Sequence, residues 1–342
     1  MNSKLDFEGV RLPVSAEKAL AVMTDILTSL GCTRQVADTI AEHLADASLC
    51  GVESHGVMRI LQYARQFRSA YMSAGGEARV TKRDGQFLTI DGGGGHGIPA
   101  MQLAFDTSIE AAVDKGMSVT AITNLGHTGR HGAFAELAAE AGMLSLVIGG
   151  GNRAVWRQVA PHGGAEAKLP TNPWCLGLPG GGDGPFVLDF ATSTVAGGWI
   201  YAAESAGAHL PEGCLIDASG YPTTDPKAYF EGGAILPAAG QKGYALALAA
   251  ELIAEALIGP VATEANWLLI MVDTTRMTCG HTLQERAEVI LADIRSCPPA
   301  PGFDRVEVPG ERERRIREEA DGTIHIPEKT WTDVLALRDE LA

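Results

Sequence analysis

The chain has 342 residues, a length that predicts two domains or one large domain with an excursion. Its 41 glycines and 17 prolines are too few for a collagen-like or low-complexity chain. Its 42 acidic and 27 basic side chains give a net charge of −15, which repels nucleic-acid phosphates and anionic membrane surfaces, so neither partner is expected.

Cysteine usage and the N-terminus predict the cellular compartment. The six cysteines show no CxxC pair and no dense disulfide framework. The N-terminus has no basic start followed by an apolar core, and no stretch approaches ~18 uninterrupted apolar residues. We therefore expect reduced thiols, no membrane span and a cytoplasmic protein.

Helices are predicted for about the first 70 residues. Leu20, Met23, Leu27 and Leu30 recur at helical spacing, and Gly31 is placed to close that helix. The chain therefore begins with an α-helical part.

Alternating strands and helices are predicted for the middle of the chain. The predicted strands are FLTID (87–91), a segment near 119–123, LSLVI (144–148), FVLDF (186–190) and WLLIMVD (267–273). Three helices are predicted. The first begins at Pro99 and ends at Gly116, the second ends at Gly142, and the third covers YALALAAELIAEAL (244–257). This order indicates an α/β fold.

The last 45 residues contain a linker, a charged stretch and a closing helix. PPAPG follows Cys297, ERERRIREEA covers 311–320, and an apolar stripe begins at Trp331. Because no repeat or discrete boundary is visible, we expect the two chain ends to pack together around a central sheet. The expected division is a helical part (1–85), a central α/β part (86–300) and a C-terminal segment (301–342) that returns to the helical part.

The run DGGGGHG formally matches a dinucleotide-binding turn. Gly92, Gly94 and Gly97 satisfy GxGxxG between a predicted strand and helix. However, Glu110 and Asp114 lie inside the predicted helix, so no acid takes the ribose position. We interpret the run as a turn that permits close backbone approach.

The segment GHTGRHG (126–132) contains two histidines four residues apart. A metal site is not expected, because His127 and His131 lack an HExxH glutamate and a third ligand at a recognisable spacing. The glycines, Arg130 and the following helix N-terminus suit an anion such as a pyrophosphate or ribose phosphate. An ordinary strand-to-helix turn explains the local sequence equally well.

A second candidate is the tripeptide Ser54, His55 and Gly56, followed by Arg59 one helical turn after His55. Imidazole can transfer a proton near neutral pH, and guanidinium binds a carboxylate through two parallel hydrogen bonds. Reduction of a 2-oxo acid needs such a pair. A surface histidine beside an unrelated arginine is the alternative, whereas a Ser-His-Asp hydrolase is disfavoured because no GxSxG segment occurs.

Eight short segments in order resemble the type-2 malate/L-lactate dehydrogenase family, and the resemblance covers about residues 5 to 340. They are SHGVMRILQYARQF (54–67), GHTGRHG (126–132), APHGG (160–164), PTNPW (170–174), VLDFATSTVAGG (187–198), GYPTTDP (220–226), LPAAGQKGYALAL (236–248) and VPGERE (308–313).

The resemblance implies an NAD(P)H-dependent oxidoreductase of small 2-oxo or 2-hydroxy acids, with relatives that handle ureidoglycolate, diketogulonate, sulfolactate and cyclic imino acids. It implies a homodimer and a non-Rossmann α/β fold, in which a central mixed sheet with flanking helices binds cofactor and substrate. Both chain ends then build a helical part.

The resemblance also implies residue roles. His55 matches a proton donor, Ser54 its hydrogen-bonding neighbour and Arg59 a substrate-carboxylate ligand, while some members use the residue matching His127 as the base. Thr171 matches a substrate contact. The matching cofactor contacts are His127, Thr128, Gly129, Arg130, His131, Asn172, Asp189, Phe190, Ala191, Lys242, Gly243, Pro309, Gly310 and Glu311.

The chain departs from the family pattern at three places. Pro170 replaces a common glycine, Trp199 takes the position where cyclic imine reductases carry an acid, and the segment 149–158 has an unusual content of Arg153 and other large side chains including Trp156 and Arg157. These changes either alter the substrate pocket or belong to a surface or dimer contact.

Three functions follow from this comparison. The leading one is hydride transfer between NAD or NADP and C2 of a malate-like or lactate-like acid. The alternatives are reduction of a cyclic ketimine, such as a pyrroline or piperideine carboxylate, and non-catalytic binding of a small molecule. The choice between NAD and NADP stays open, because Arg130 or His131 could meet either a 2′-phosphate or the pyrophosphate.

Overall fold

The computed structural model describes residues 9–277 and 281–342. The chain divides into two compact units. The smaller unit includes residues 148–174 and 190–267, and the larger unit includes 12–147, 175–189 and the described part of 268–342. The three-part division expected from sequence stays a prediction.

The strands are short in the smaller unit and longer in the larger one. They are β1 (Arg11–Ser15), β2 (Arg79–Asp84), β3 (Phe87–Asp91), β4 (Met117–Leu125), β5 (Met143–Gly151), β6 (Trp174–Gly181), β7 (Gly184–Phe190), β8 (Leu215–Ile216), β9 (Pro222–Thr223), β10 (Ala234–Ile235), β11 (Ala265–Asp273) and β12 (Thr323–Pro327).

Helices occur in both units. They are α1 (Ala16–Ser29), α2 (Arg34–Leu49), α3 (Arg59–Arg68), α4 (Gly97–Lys115), α5 (His131–Glu140), α6 (Gly197–Ala206), α7 (Lys227–Phe230), α8 (Gln241–Glu251), α9 (Leu283–Arg295), α10 (Glu311–Ala320) and α11 (Glu328–Leu341). None of the helices in the described residues is long and apolar enough to cross a membrane.

A mixed sheet is the centre of the larger unit. Within the described residues its strand order is β2-β3-β4-β11-β5-β6-β7. Strands β2 and β3 are antiparallel, whereas β3 and β4 run parallel with Phe87 opposite Val119. The parallel pair needs a crossover, and α4 supplies it. The predicted mixed α/β class is confirmed.

Helix α4 shows how the sequence sets the limits of an element. His96 Nδ1 accepts the backbone N–H of Ile98 and caps the helix, which starts two residues before the predicted Pro99. The helix ends at Gly116, whose φ of 87° lies in the left-handed region that glycine adopts without strain. The core-facing side begins with Met101 and Phe105, both buried.

Both chain ends build the helical part of the larger unit, as predicted. Strands β1 and β12 pair, α11 packs against α1 and α3, and α10 packs against α2. Trp331, Val334 and Leu337 bury one face of α11, which matches the apolar stripe in the sequence. This packing fixes α2 and α3, which flank the segment containing His55.

The smaller unit has its own core. Strands β8, β9 and β10 form a small sheet in the order β10-β8-β9. Ile200, Leu215 and Ile235 lie fully buried in its apolar cluster. Helix α8 continues into a π-helical segment at Leu252–Ile258, so the predicted helix 244–257 is regular only in its first part.

Candidate active site

The first half of the site is residues 54–59, here called the His55 segment. It lies between α2 and α3, where Ser54 and His55 form a short 3-10 turn and Arg59 begins α3. The Ser54 hydroxyl lies 3.0 Å from His55 Nδ1. Arg59 Nε donates to the Ser54 carbonyl at 2.5 Å, which folds the guanidinium back over the turn. The predicted group therefore comes together.

Arg59 carries a positive charge that the protein leaves unmatched. Its Nη1 donates to the neutral Gln62 side chain at 2.6 Å, and it forms no ion pair with any described residue. Burial, followed by the charge of Arg59, holds the pKa of His55 well below its usual 6.5. His55 is thus neutral at neutral pH, beside a cation that can take an anion.

His127 completes this group from the loop after β4. Its ring stacks on the His55 ring with centroids 5.4 Å apart and an interplanar angle of 30°. Its Nδ1 lies 2.7 Å from the Tyr63 hydroxyl and 3.2 Å from the Gly129 nitrogen. Burial and the charge of Arg59 also hold the pKa of His127 well below 6.5.

Tyr63 is a site residue that the sequence reasoning missed. It lies one turn after Arg59 on α3, so helical spacing from that arginine could have found it. The Tyr63 side chain is fully buried, and its ring meets His96 edge-on at 4.2 Å. These contacts fix the direction of its hydroxyl.

The second half of the site is residues 126–132, here called the His127 loop. Its side chains beyond His127 point into the protein, because Thr128, Arg130 and His131 are each at most 4% exposed. The Thr128 hydroxyl lies 2.7 Å from His131 Nε2. Gly129 has a φ of 72° and packs against the His43 ring, so a side chain does not fit there.

Arg130 is paired inside the protein. Its guanidinium lies 2.9 Å from Asp46 and 3.4 Å from Glu136, and its backbone N–H donates to His43 Nε2 at 2.9 Å. Arg317 reaches the same two carboxylates from α10. Two guanidinium groups and two carboxylates therefore balance one another in this cluster, and Asp46 and Arg317 come from opposite ends of the chain.

The predicted anion site at the N-terminus of α5 stays a prediction, and its groups have partners within the protein. The Gly132 N–H donates to Asp189 at 2.7 Å, so a carboxylate of the protein already occupies the helix end. Arg130, the expected phosphate ligand, is buried between carboxylates. The local sequence did not reveal these partners because Asp46 is 84 positions away.

Pro309, Gly310 and Glu311 also have partners within the larger unit. The Pro309 carbonyl accepts the Val187 N–H at 3.1 Å, and Gly310 begins α10 with a φ of 96°. Glu311 accepts the Val308 N–H at 2.8 Å and pairs with Arg295 at 2.5 Å. Their predicted cofactor contacts stay a prediction.

In the smaller unit, Asn172 is held on both sides of its amide. It donates to the Ala247 carbonyl at 2.9 Å and to Glu251 at 2.8 Å, and it accepts the Gly151 N–H at 3.3 Å. Burial raises the pKa of Glu251 to about 7. The neighbouring Thr171 carbonyl accepts hydrogen bonds from the hydroxyl and the backbone N–H of Thr192. Hydrogen bonds therefore hold both Thr171 and Asn172 in place.

Lys242 lies exposed at the start of α8 in the same unit. No side chain caps this helix, and Gly240 precedes it with a φ of 63°. Lys242 forms no ion pair with the described residues. The ammonium and the positive end of the helix fit an anionic group.

The remaining predicted positions differ in how many contacts hold their side chains. Phe190 ends β7 with 36% exposure and Ala191 follows it half-buried. Arg153 pairs with Glu251 at 3.1 Å and Glu255 at 2.7 Å, and Trp199 packs against the apolar cluster. Arg153 is therefore tied to α8 and its π-helical continuation.

The glycine run after β3 forms a tightly packed turn. The Gly92 N–H donates to the Thr123 carbonyl, and Gly97 donates to the His127 carbonyl. A Cβ on Gly95 would collide with the backbone of Gly76. This is the close backbone approach that the sequence predicted.

The described residues also contain no group of three potential metal-ligating side chains.

Comparison with known proteins shows relatives over nearly the whole chain. The family model for malate/L-lactate dehydrogenase matches residues 14–335. An L-lactate dehydrogenase of Cupriavidus necator is 34% identical, with 96% of this chain and 98% of the relative covered. A Delta(1)-pyrroline-2-carboxylate/Delta(1)-piperideine-2-carboxylate reductase of Pseudomonas putida is 33% identical, with 91% of this chain and 92% of the relative covered.

A solved structure shows the same fold. The sulfolactate dehydrogenase of Methanocaldococcus jannaschii superposes with a TM-score of 0.85 at 29% identity, covering 96% of this chain and 97% of that one. The family match spans nearly the whole chain and contains both halves of the site. The chain therefore belongs to the malate/L-lactate dehydrogenase family of oxidoreductases.

Proposed function

We propose that the protein transfers a hydride between a nicotinamide cofactor and C2 of a small 2-oxo or 2-hydroxy carboxylate. The observation that carries this proposal is the unmatched charge of Arg59, placed beside Ser54 and His55. A guanidinium without a carboxylate of its own is suited to the carboxylate of a substrate. The adjoining imidazole then lies near the neighbouring C2 oxygen.

The donor set supports an anionic cofactor. The exposed Lys242 and the uncapped N-terminus of α8 would hold one of its negatively charged groups. When bound, the nicotinamide supplies the hydride in reduction and accepts it in oxidation. Asn172, Asp189 and the other positions matched to family contacts remain proposed ligands, and both NAD and NADP fit this donor set.

His55 is the proposed proton carrier. In oxidation, its neutral ring accepts the hydroxyl proton of the substrate at Nε2 while C2 loses a hydride. In reduction, the carbonyl oxygen gains an electron pair as C2 gains the hydride, and it takes the proton back from His55. The Ser54 hydroxyl holds Nδ1 and orients the ring.

Arg59 has two effects on this proton transfer. It holds the substrate, and its charge lowers the pKa of His55 in the free protein. A bound carboxylate offsets that charge, so substrate binding raises the pKa of His55 toward the protonated form that reduction needs. Substrate recognition and acid-base chemistry are therefore coupled.

A substrate panel tests the proposal. Pyruvate, oxaloacetate and a cyclic imine are each offered with NADH and with NADPH, for the wild type and for His55→Ala. We expect turnover of a 2-oxo acid, and a ~10²–10⁴-fold loss in the variant with unchanged cofactor binding by NADH fluorescence.

The other outcomes each identify a competing function. Turnover of the cyclic imine alone contradicts the 2-oxo acid proposal and favours ketimine reduction. Cofactor binding without turnover of any compound favours a binding protein. A His55→Ala variant that works at the wild-type rate removes His55 from the mechanism.

We also propose a reduced, cytoplasmic homodimer. The five described cysteines form no disulfide, and burial raises the pKa of Cys32 and Cys50 to about 11, which keeps both thiols unreactive. Exposed Val289, Ile290 and Ile294 on α9 support a subunit contact. Light scattering of the purified protein should give twice the chain mass, and a monomer would contradict this.

A further inference from the structure

The two stacked histidines of the site differ in what holds their Nδ1 atoms. Nδ1 of His55 faces the Ser54 hydroxyl, which can either donate or accept a hydrogen bond. Nδ1 of His127 faces the Tyr63 hydroxyl and also the backbone N–H of Gly129, which can only donate. A hydroxyl can change its role when the ring gains a proton, whereas the Gly129 amide cannot.

The Gly129 amide therefore selects one form of His127. A donor 3.2 Å from Nδ1 requires a lone pair on that nitrogen, so the neutral ring carries its hydrogen on Nε2. A hydrogen on Nδ1 would oppose the amide and leave a buried backbone N–H without an acceptor. His127 Nε2 has no hydrogen-bond partner among residues 9–277 and 281–342, so its N–H is available to a ligand.

Tyr63 reinforces this form. Its hydroxyl lies 2.7 Å from the same nitrogen, and with the lone pair already fixed there it donates as well. The ring of Tyr63 is fully buried and contacts His96 edge-on, so the hydroxyl oxygen is held beside His127 Nδ1. Two donors at Nδ1 oppose the imidazolium form, in which that nitrogen carries a hydrogen.

We propose that His127 acts as a neutral hydrogen-bond donor to the reacting C2 oxygen, through Nε2–H, and that Tyr63 is the positioning residue that keeps it so. This inference rests on the proposed function and gives the two histidines different roles in it. His55 exchanges the proton, because Ser54 adapts to either state of the ring. His127 stabilises negative charge on the oxygen without gaining or losing a proton.

The tautomer of His127 can be measured without turnover. In protein labelled with ¹⁵N-histidine, the two ring nitrogens of a neutral imidazole have different chemical shifts, and the signals of His127 are assigned by their loss in His127→Gln or their shift in Tyr63→Phe. We expect hydrogen on Nε2 and a lone pair on Nδ1 at neutral pH. Hydrogen on Nδ1, or an imidazolium, overturns the inference.

Three variants separate a hydrogen-bond donor from a base. His127→Ala should lose ~10²–10³-fold in kcat, the usual effect of removing a donor to a developing oxyanion. His127→Gln places an amide N–H near the position of Nε2 and should recover at least ~10-fold of that loss, although an amide cannot act as a base. Tyr63→Phe should lose ~5-fold in kcat with little change in KM, because the Gly129 N–H still fixes the ring.

These results distinguish a failure of the proposed function from a failure of the role proposed for His127. A wild-type protein that reduces no 2-oxo acid contradicts the proposed function, whereas the ¹⁵N shifts still decide the tautomer. If His127→Gln is as inactive as His127→Ala while both fold and bind cofactor, His127 is not a donor that an amide can replace, and the inference is wrong.

Discussion

The His55 segment and the His127 loop contain the same residue types, histidine and arginine, but the protein surrounds them differently. Arg59 has no carboxylate partner in the described chain, whereas Arg130 lies between Asp46 and Glu136. Nδ1 of the first histidine faces a hydroxyl, and Nδ1 of the second faces both a hydroxyl and a backbone amide. Residue type alone therefore does not reveal function; the partner decides whether a group can change its state.

The difference supports the separate tasks that we propose for the two regions. An unmatched guanidinium and an adaptable imidazole suit binding and proton transfer. A matched guanidinium and a fixed imidazole suit a rigid frame that holds the reacting oxygen. Variants that change one region at a time show whether the two tasks are separate.

The largest effect on folding is expected for Arg130→Gln. Removing the guanidinium leaves Asp46 and Glu136 near each other with only Arg317 between them, so we expect the free energy of unfolding to fall by about 3 kcal/mol. Urea denaturation measures it. Arg68→Gln, which breaks an exposed pair with Glu340, is the control and should leave the unfolding midpoint unchanged. Equal midpoints for the two variants would show that Arg130 is not part of the frame.

Arg59→Gln should instead affect the substrate. Losing the carboxylate ligand should lower kcat/KM for a 2-oxo acid by about 10²-fold, mainly through KM, because Gln cannot form the two charged hydrogen bonds. It should also raise the pKa of His55, since the guanidinium follows burial as a cause of the lowered value.

Steady-state kinetics with Arg65→Gln as the matched control checks this result. Arg65 lies exposed on the same helix, so its removal changes the net charge equally without touching His55. A similar loss of kcat/KM in both variants would mean that Arg59 acts only through the overall charge of the protein.

The most gradual effect is a loss of stability in acid. Burial lowers the pKa of His43 and His96 to about 3, whereas both have a pKa near 6.5 in the unfolded chain. As the pH falls from 6.5 toward 3, the unfolded chain takes up protons that the folded protein does not. Stability is therefore complete above pH 6.5 and falls by up to about 1.4 kcal/mol per pH unit for each histidine.

Unfolding measured at several pH values between 7.5 and 4.5 tests this dependence. His96→Asn keeps a side chain that can cap α4 but removes one titrating group, so the slope should decrease by about one proton. The exposed His209→Gln should keep the wild-type slope. An unchanged slope in His96→Asn would contradict the assignment.

Much of the fold was predictable because its signals are local. The predicted strands 87–91, 144–148, 186–190 and 267–273 lie within observed strands, and Gly116 ends α4 as expected. Apolar runs and helix-ending glycines depend on neighbours a few positions away. The exact start of α4 was missed because His96, not Pro99, provides the cap.

From the residues alone, the site was predictable where its members are close in sequence, whereas the distant members such as His127 came from the family resemblance. Ser54, His55 and Arg59 lie within six residues, so their grouping follows from helical spacing. Tyr63 meets His127 across 64 positions. The partners of Arg130 were missed for the same reason, since a single sequence does not show which distant side chain will neutralise a charge.

The pH dependence of kcat/KM for oxidation of a 2-hydroxy acid decides whether proton exchange belongs to His55, as we propose, or to His127. The wild type and His127→Gln should both show one ionisation on the acidic limb, and His55→Gln should lose it along with ~10²–10⁴-fold of its activity. If the ionisation instead disappears in His127→Gln and remains in His55→Gln, the assignment of the two regions is reversed.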